Sequence, residues 1–187
     1  MRKIFLQCCL LFTVGVMWGS SVFAQEKTVM VGGAAMYPSK NIVENAVSSK
    51  DHTTLVAAVK AAGLVETLQS NGPFTVFAPT NKAFDKLPEG TVATLLKPEN
   101  KELLAGVLTY HIVPGRIESK TLVDLIKKNG GTFSAATVNG GQLTFTLKGK
   151  DVFLKDEKGG MSKVTVMDVY QSNGVIHVVD TVVMPKS

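Results

Sequence analysis

Three histidines and one aspartate are the residues of this chain best suited to acid–base or metal chemistry: His52, His111, His177 and Asp180. The histidines lie far apart, and none stands in an H-x-H or H-x-x-x-H spacing that turns two imidazoles toward one ion. His177 and Asp180 are three positions apart in a stretch that reads as a strand. Side chains so spaced leave opposite faces, so the two share neither a metal nor a proton unless a bulge intervenes. They read instead as a histidine packed beside a sheet and an aspartate bonded to backbone near a strand end. The chain also lacks a G-x-S-x-G elbow, a phosphate-cradling G-x-x-x-x-G-K and a dinucleotide glycine fingerprint. The expectation is a noncatalytic chain with no metal and no cofactor.

Two polar pairs remain. Tyr110 and His111, flanked by Leu108 and Ile112, form an aromatic–polar patch suited to contact with a partner. Read as neighbours on a strand, they point to opposite faces, so one at most faces outward. The tyrosine ring buries if its hydroxyl finds a partner, and a half-buried histidine holds a loop through its ring nitrogens. Thr80 and Asn81 follow Pro79 and read as a helix cap or a side-chain-closed turn, with one of them bonding His111 or nearby backbone.

The elements that position these residues change period midway. Ile42, Val43, Ala46 and Val47 share a helical stripe with Ser39 as its cap, and Asp51 or Thr53 caps a second helix that Gly63 stops. Phe74, Val76 and Phe77 form a short strand ending at Pro79, and helices recur near 83–87, 91–96, 99–108 and after Ser119. Beyond residue 140, Leu143, Phe145 and Leu147 alternate with Thr144, Thr146 and Lys148, as on a strand with one wet face. Further strands read at 152–154, 164–169 and 175–184. Helices first and strands later predict an α+β domain with a mainly antiparallel sheet.

Three segments, in this order, carry a family resemblance: FTVFAPTNKAF at Phe74–Phe84, Tyr110–His111, and NGVIHVVD at Asn173–Asp180. Together they resemble the fasciclin domain family, over roughly Ser39 to Pro185. The resemblance implies a wedge-shaped β-sandwich with a helical layer from the N-terminal half. It also implies extracellular adhesion and matrix contacts, with Tyr110 and His111 as the contact site. Phe74, Thr80, Asn81, His177 and Asp180 are the structural residues of the motifs.

The first 24 residues read as an export signal: Arg2 and Lys3, an apolar run from Ile4 to Trp18, and Val22-Phe23-Ala24 before a cut at Gln25. The apolar run is shorter than the roughly 20 residues of a membrane span, so stable membrane insertion after cleavage is not expected. Cleavage removes Cys8 and Cys9, leaving no disulfide and no thiol chemistry. It also removes Arg2 and Lys3, so 18 basic residues face 15 acidic ones and the net charge falls from +5 to +3. With no basic stripe among aromatics, nucleic-acid binding is not expected. Residues 25–37, with Gly32, Gly33, Ala34 and Ala35, read as a flexible lead-in, and 38–187 as one domain. The expected function is a noncatalytic binding or adhesion module, secreted or periplasmic, meeting a protein or a matrix or surface component. The alternative is an envelope carrier or sensor for a small molecule or lipid, using an apolar cleft between helices and sheet.

Overall fold

The structure is a computed structural model describing residues 28–186. The export signal, its cleavage point and the start of the lead-in lie outside the described residues. The described chain begins with a hairpin, β1 (Val29–Val31) and β2 (Ala34–Met36). Three helices follow: α1 (Ile42–Ser48), α2 (Thr53–Ala62) and α3 (Val65–Gln69). Strand β3 (Phe74–Pro79) leads to α4 (Asn81–Asp85), α5 (Thr91–Leu95) and α6 (Lys101–Tyr110). Then come β4 (Ile112–Pro114), α7 (Ser119–Lys128), β5 (Thr132–Ala136), β6 (Gln142–Lys148), β7 (Asp151–Lys155), β8 (Met161–Gln171) and β9 (Gly174–Val179).

Residues 29–36, read in the sequence as part of a flexible lead-in, pair as a hairpin. Gly32 and Gly33 have φ of 58° and 75°, the signs of a type I′ turn, whose twist matches that of paired strands. The turn lets Val31 and Met36 bury at 6% and 3% exposure in the cluster that holds Ile42 and Leu55. The small residues therefore serve a tight turn rather than a loose tail.

Asn41, not Ser39, caps α1: its Oδ1 accepts the Glu44 N–H at 2.9 Å while Glu44 Oε2 accepts the Asn41 N–H at 2.8 Å, a reciprocal capping box. Neither Asp51 nor Thr53 caps α2. Its Thr54 N–H is taken by Asn81 Oδ1 at 3.0 Å, so the cap comes from another helix. Gly63 ends α2 in the left-handed conformation at φ 72°, as expected.

The α+β expectation holds. One seven-stranded sheet runs β4-β3-β9-β8-β7-β6-β5, antiparallel throughout except for β3 beside β9. Parallel neighbours are normally buried on both faces, and here five of six β3 residues and all six of β9 are buried. Val76, Ala78, Ile176 and Val178 point into a core shared with the helices. Phe77 and Val179 point to the other face, into a second core with Phe145, Leu143 and Leu154 that α7 closes with Leu122 and Ile126. That second core forms because the sheet rolls on itself: the Val138 N–H, just past β5, donates to Ile112 O of the opposite edge strand at 2.8 Å. The result is nearly a barrel, with a helical layer outside it.

Candidate functional site

The three motif segments meet around β3. It pairs with β4, which follows His111, on one side and with β9, which carries His177, on the other. The Phe77 N–H donates to His111 O at 2.9 Å, and the Phe77 ring stacks on the His177 ring with centroids 5.5 Å apart.

Tyr110 and His111 are not a strand pair, which corrects the in–out expectation. Tyr110 ends α6 and His111 is its C-terminal cap. Both side chains are buried, at 0% and 2% exposure, so neither reaches the surface. The Tyr110 hydroxyl donates to Gln142 O at 2.6 Å and accepts the Glu157 N–H at 3.2 Å. Burial, reinforced by the Glu157 and Asp156 charges, pushes its pKa up to about 12.

His111 uses both ring nitrogens. Nε2 accepts the Val183 N–H at 3.2 Å, so the proton sits on Nδ1 and is donated to Val107 O at 2.8 Å. Burial lowers its pKa to about 4, against the opposing pull of the Val107 carbonyl and the Asp156 charge. The C-terminal segment is gripped at two more points: Asp156 Oδ2 accepts the Met184 N–H at 3.0 Å and Glu157 Oε2 the Lys186 N–H at 3.2 Å.

His177 is committed in the same way. Its Nδ1 accepts the Asp168 N–H at 3.3 Å, and Nε2 donates to Ile117 O at 2.8 Å. Burial lowers its pKa too. Asp168, held at φ 58°, turns its carboxylate to the start of α7, where Oδ1 accepts the Ser119 N–H at 2.7 Å and Oδ2 the Ser119 hydroxyl. Ser119, Asp168 and His177 thus form one chain of contacts, but not a catalytic one. The aspartate reaches the imidazole through its backbone, and the serine donates to the aspartate. Nucleophilic catalysis needs an imidazole nitrogen free to take the serine proton, and His177 has none. Among the described residues no group of three or more His, Cys, Asp or Glu side chains is placed to hold a metal ion.

Thr80 caps α4 through the Ala83 N–H at 3.3 Å. Neither it nor Asn81 bonds His111. Asn81 instead reaches Lys50 O and Thr53 Oγ1, both at 2.9 Å, tying α4 to the start of α2. Asp180 lies just past β9 rather than on it. Its burial acts to raise its pKa, but the Lys163 N–H, the Thr181 hydroxyl and Lys86 outweigh that and hold it below the usual carboxylate range. Phe74 is the half-buried first residue of β3, opposite Gly174.

Sequence reasoning missed three bracing residues. Asn173 Oδ1 accepts the Ile42 N–H at 3.1 Å while its Nδ2 donates to Leu68 O and Ser70 O at 2.7 and 3.0 Å. One amide so joins α1, α3 and the β8–β9 turn. Its place before Gly174 in the third motif was the available signal. Buried Asn45 and Gln171 bond each other across 126 residues, a contact with no local trace in the sequence.

A family model described as the Fasciclin domain matches residues 50–185. Protein sll1483 of Synechocystis sp. is 48% identical over 162 residues, covering 86% of this chain and 82% of that protein. The cell surface glycolipoprotein MPB83 of Mycobacterium bovis is 30% identical over 172 residues, 89% of this chain and 70% of that protein. The solved structure of a FAS1 domain pair from the insect cell adhesion molecule Fasciclin I matches with a TM-score of 0.69 at 16% identity, covering 83% of this chain and 57% of that one. That last likeness is one of fold. Among the described residues no helix is long and apolar enough to cross a membrane.

Proposed function

This chain belongs to the fasciclin domain family, and we propose that it is a noncatalytic binding module of the adhesion type, acting in the periplasm or outside the cell through a protein or surface component. The observation that carries the noncatalytic part is the commitment of His111 and His177: each ring has both nitrogens engaged with backbone groups. An acid–base catalyst must present a proton or a lone pair to its substrate, and these two present neither. The adhesion part draws on the relatives, one named a cell surface glycolipoprotein and one a cell adhesion molecule. The export signal read in residues 1–24 supports the location.

On this reading Tyr110 and His111 act indirectly. They fix the loop at Asp156–Glu157 and the C-terminal segment, and leave partner contact to surface outside the pair. Comparing surface attachment of a strain lacking the protein with its parent and a complemented strain tests the proposal. Reduced attachment, restored on complementation, is expected; unchanged attachment across growth conditions overturns it.

A further inference from the structure

Between the layer of α1, α2 and α3 and the sheet, the core leaves a cavity of about 50 Å³. A single water needs roughly 10–15 Å³, and an engineered apolar cavity of ~150 Å³ holds benzene. The floor is buried hydrocarbon from Val76, Ala78, Leu108 and Ile176. The outer wall is half-buried, formed by Val43 and Ala46 of α1, Val56 of α2 and Val65 of α3. The less covered wall of the cavity is therefore the helical one, not the sheet.

Polar groups in this lining are few. The His111 nitrogens are both occupied. His52 is 3% exposed, with Nδ1 bonded to Ser49 Oγ at 2.9 Å and Nε2 lacking a hydrogen-bond partner. Burial holds both rings toward the neutral form, although the Asp51 charge and the Ala78 carbonyl act the other way on His52. The lining residue that carries a full charge is Lys60, exposed in the last turn of α2. Among the described residues it forms no ion pair. Lys101 adds a second cation nearby, its Nζ 3.3 Å from where a Cβ on Gly63 would stand.

We propose that this cavity binds an amphiphile with a straight aliphatic chain and a terminal carboxylate. The chain enters between the helices and its end fills the cavity, while the carboxylate meets Lys60 at the rim. Apart from His52 Nε2, the walls offer no hydrogen bond to a polar ligand body, most of whose hydration would be lost uncompensated. The lysine stem lies along apolar surface while its ammonium stays in water, where an anionic head also remains. The C-terminal end of α2 carries a partial negative charge that disfavours an anion, so carboxylate binding depends on the two lysines beside that turn. This site goes beyond the adhesion reading and is independent of it.

Calorimetric titration of the purified protein with hexanoate, octanoate and decanoate, each below its micellar concentration, tests the proposal, with decan-1-ol as the uncharged comparison. One site per chain is expected; since about 50 Å³ admits only the last methylenes of a chain, affinity rises roughly fourfold for each methylene buried there and levels off within the series. Decanoate binds more tightly than decanol. Lys60→Glu, a surface change, weakens decanoate about tenfold and leaves decanol unaffected, and Ala46→Phe, which narrows the wall, weakens both. Absence of saturable decanoate binding overturns the site, as does decanoate affinity indifferent to Lys60→Glu. Sedimentation showing that the wild type is a dimer which Ala46→Phe dissociates would assign the mouth to a second copy instead. Unchanged thermal unfolding of Lys60→Glu establishes that its loss of binding is not a loss of fold.

Discussion

His111 and His177 are locked as opposite neutral tautomers on either side of Phe77. His111 carries its proton on Nδ1, His177 on Nε2, and each accepts a backbone N–H on the other nitrogen. Protonating either ring replaces an acceptor with a donor facing a donor. An unfolded histidine takes up its proton near pH 6.5, whereas folded His111 does so only near 4, so between those values the unfolded chain holds the extra proton. Stability is therefore complete above pH ~6.5 and declines toward pH ~4, by roughly 3 kcal/mol from His111 alone. The depressed pKa values of His177 and His52 act in the same direction. Urea unfolding across this range checks the slope. His111→Gln, which keeps a donor and an acceptor, is expected to flatten it by about one proton; an unchanged slope removes His111 as its source.

Tyr110→Phe isolates the hydroxyl that joins α6 to the start of β6 and to the Asp156–Glu157 loop. The ring stays packed against Gly141, where an added Cβ would come within 2.8 Å of Tyr110 Cε2. The loss is thus confined to two hydrogen bonds, one to Gln142 O and one from the Glu157 N–H. A cost of about 1–3 kcal/mol in denaturant unfolding is expected. Faster amide exchange at Glu157 should accompany it, and intact protection there would show that the loop does not depend on Tyr110.

Asn173→Ala removes three bonds to three backbone groups at once. At about 1 kcal/mol each, the expected loss is roughly 2–4 kcal/mol. Asn173→Asp keeps the acceptor for the Ile42 N–H but sets a carboxylate oxygen against Leu68 O and Ser70 O, and should be at least as destabilised as alanine. Equal unfolding midpoints for the three proteins would mean that the turn holds these helices without the amide.

What the sequence disclosed followed the range of the interaction. The alternation at Leu143, Phe145 and Leu147 is a local pattern, and β6 forms there with Leu143 and Phe145 wholly buried. The parallel pairing of β3 with β9 joins Phe74 to Gly174, a hundred positions on, and nothing local marks it. Gly174 reads as a turn residue, yet a Cβ there would overlap Phe74 O of the neighbouring strand. The aromatic and β-branched run at 108–113 imitates a strand. The helical stripe Leu104, Val107, Leu108 nevertheless continues at the same spacing to His111, where α6 is capped. Asn45 with Gln171, and Asp168 with Ser119, were illegible because each partner is chosen by tertiary packing.

The hairpin at the start of the described chain offers a paired test of why two glycines stand together. Both have positive φ, so alanine at either is strained by about 1–2 kcal/mol. Their surroundings differ. A Cβ at Gly33 meets nothing within 4 Å, whereas one at Gly32 collides with Ser49 Oγ and reaches within 2.7 Å of the Asp51 N–H nitrogen. Ser49 is also the partner of His52 Nδ1, so the collision reaches the ring beside the cavity. Gly33→Ala should cost only the conformational term, and Gly32→Ala distinctly more, with displaced His52 ring signals in NMR spectra. Equal thermal shifts for the two variants would show that the hairpin does not rest on the segment between α1 and α2.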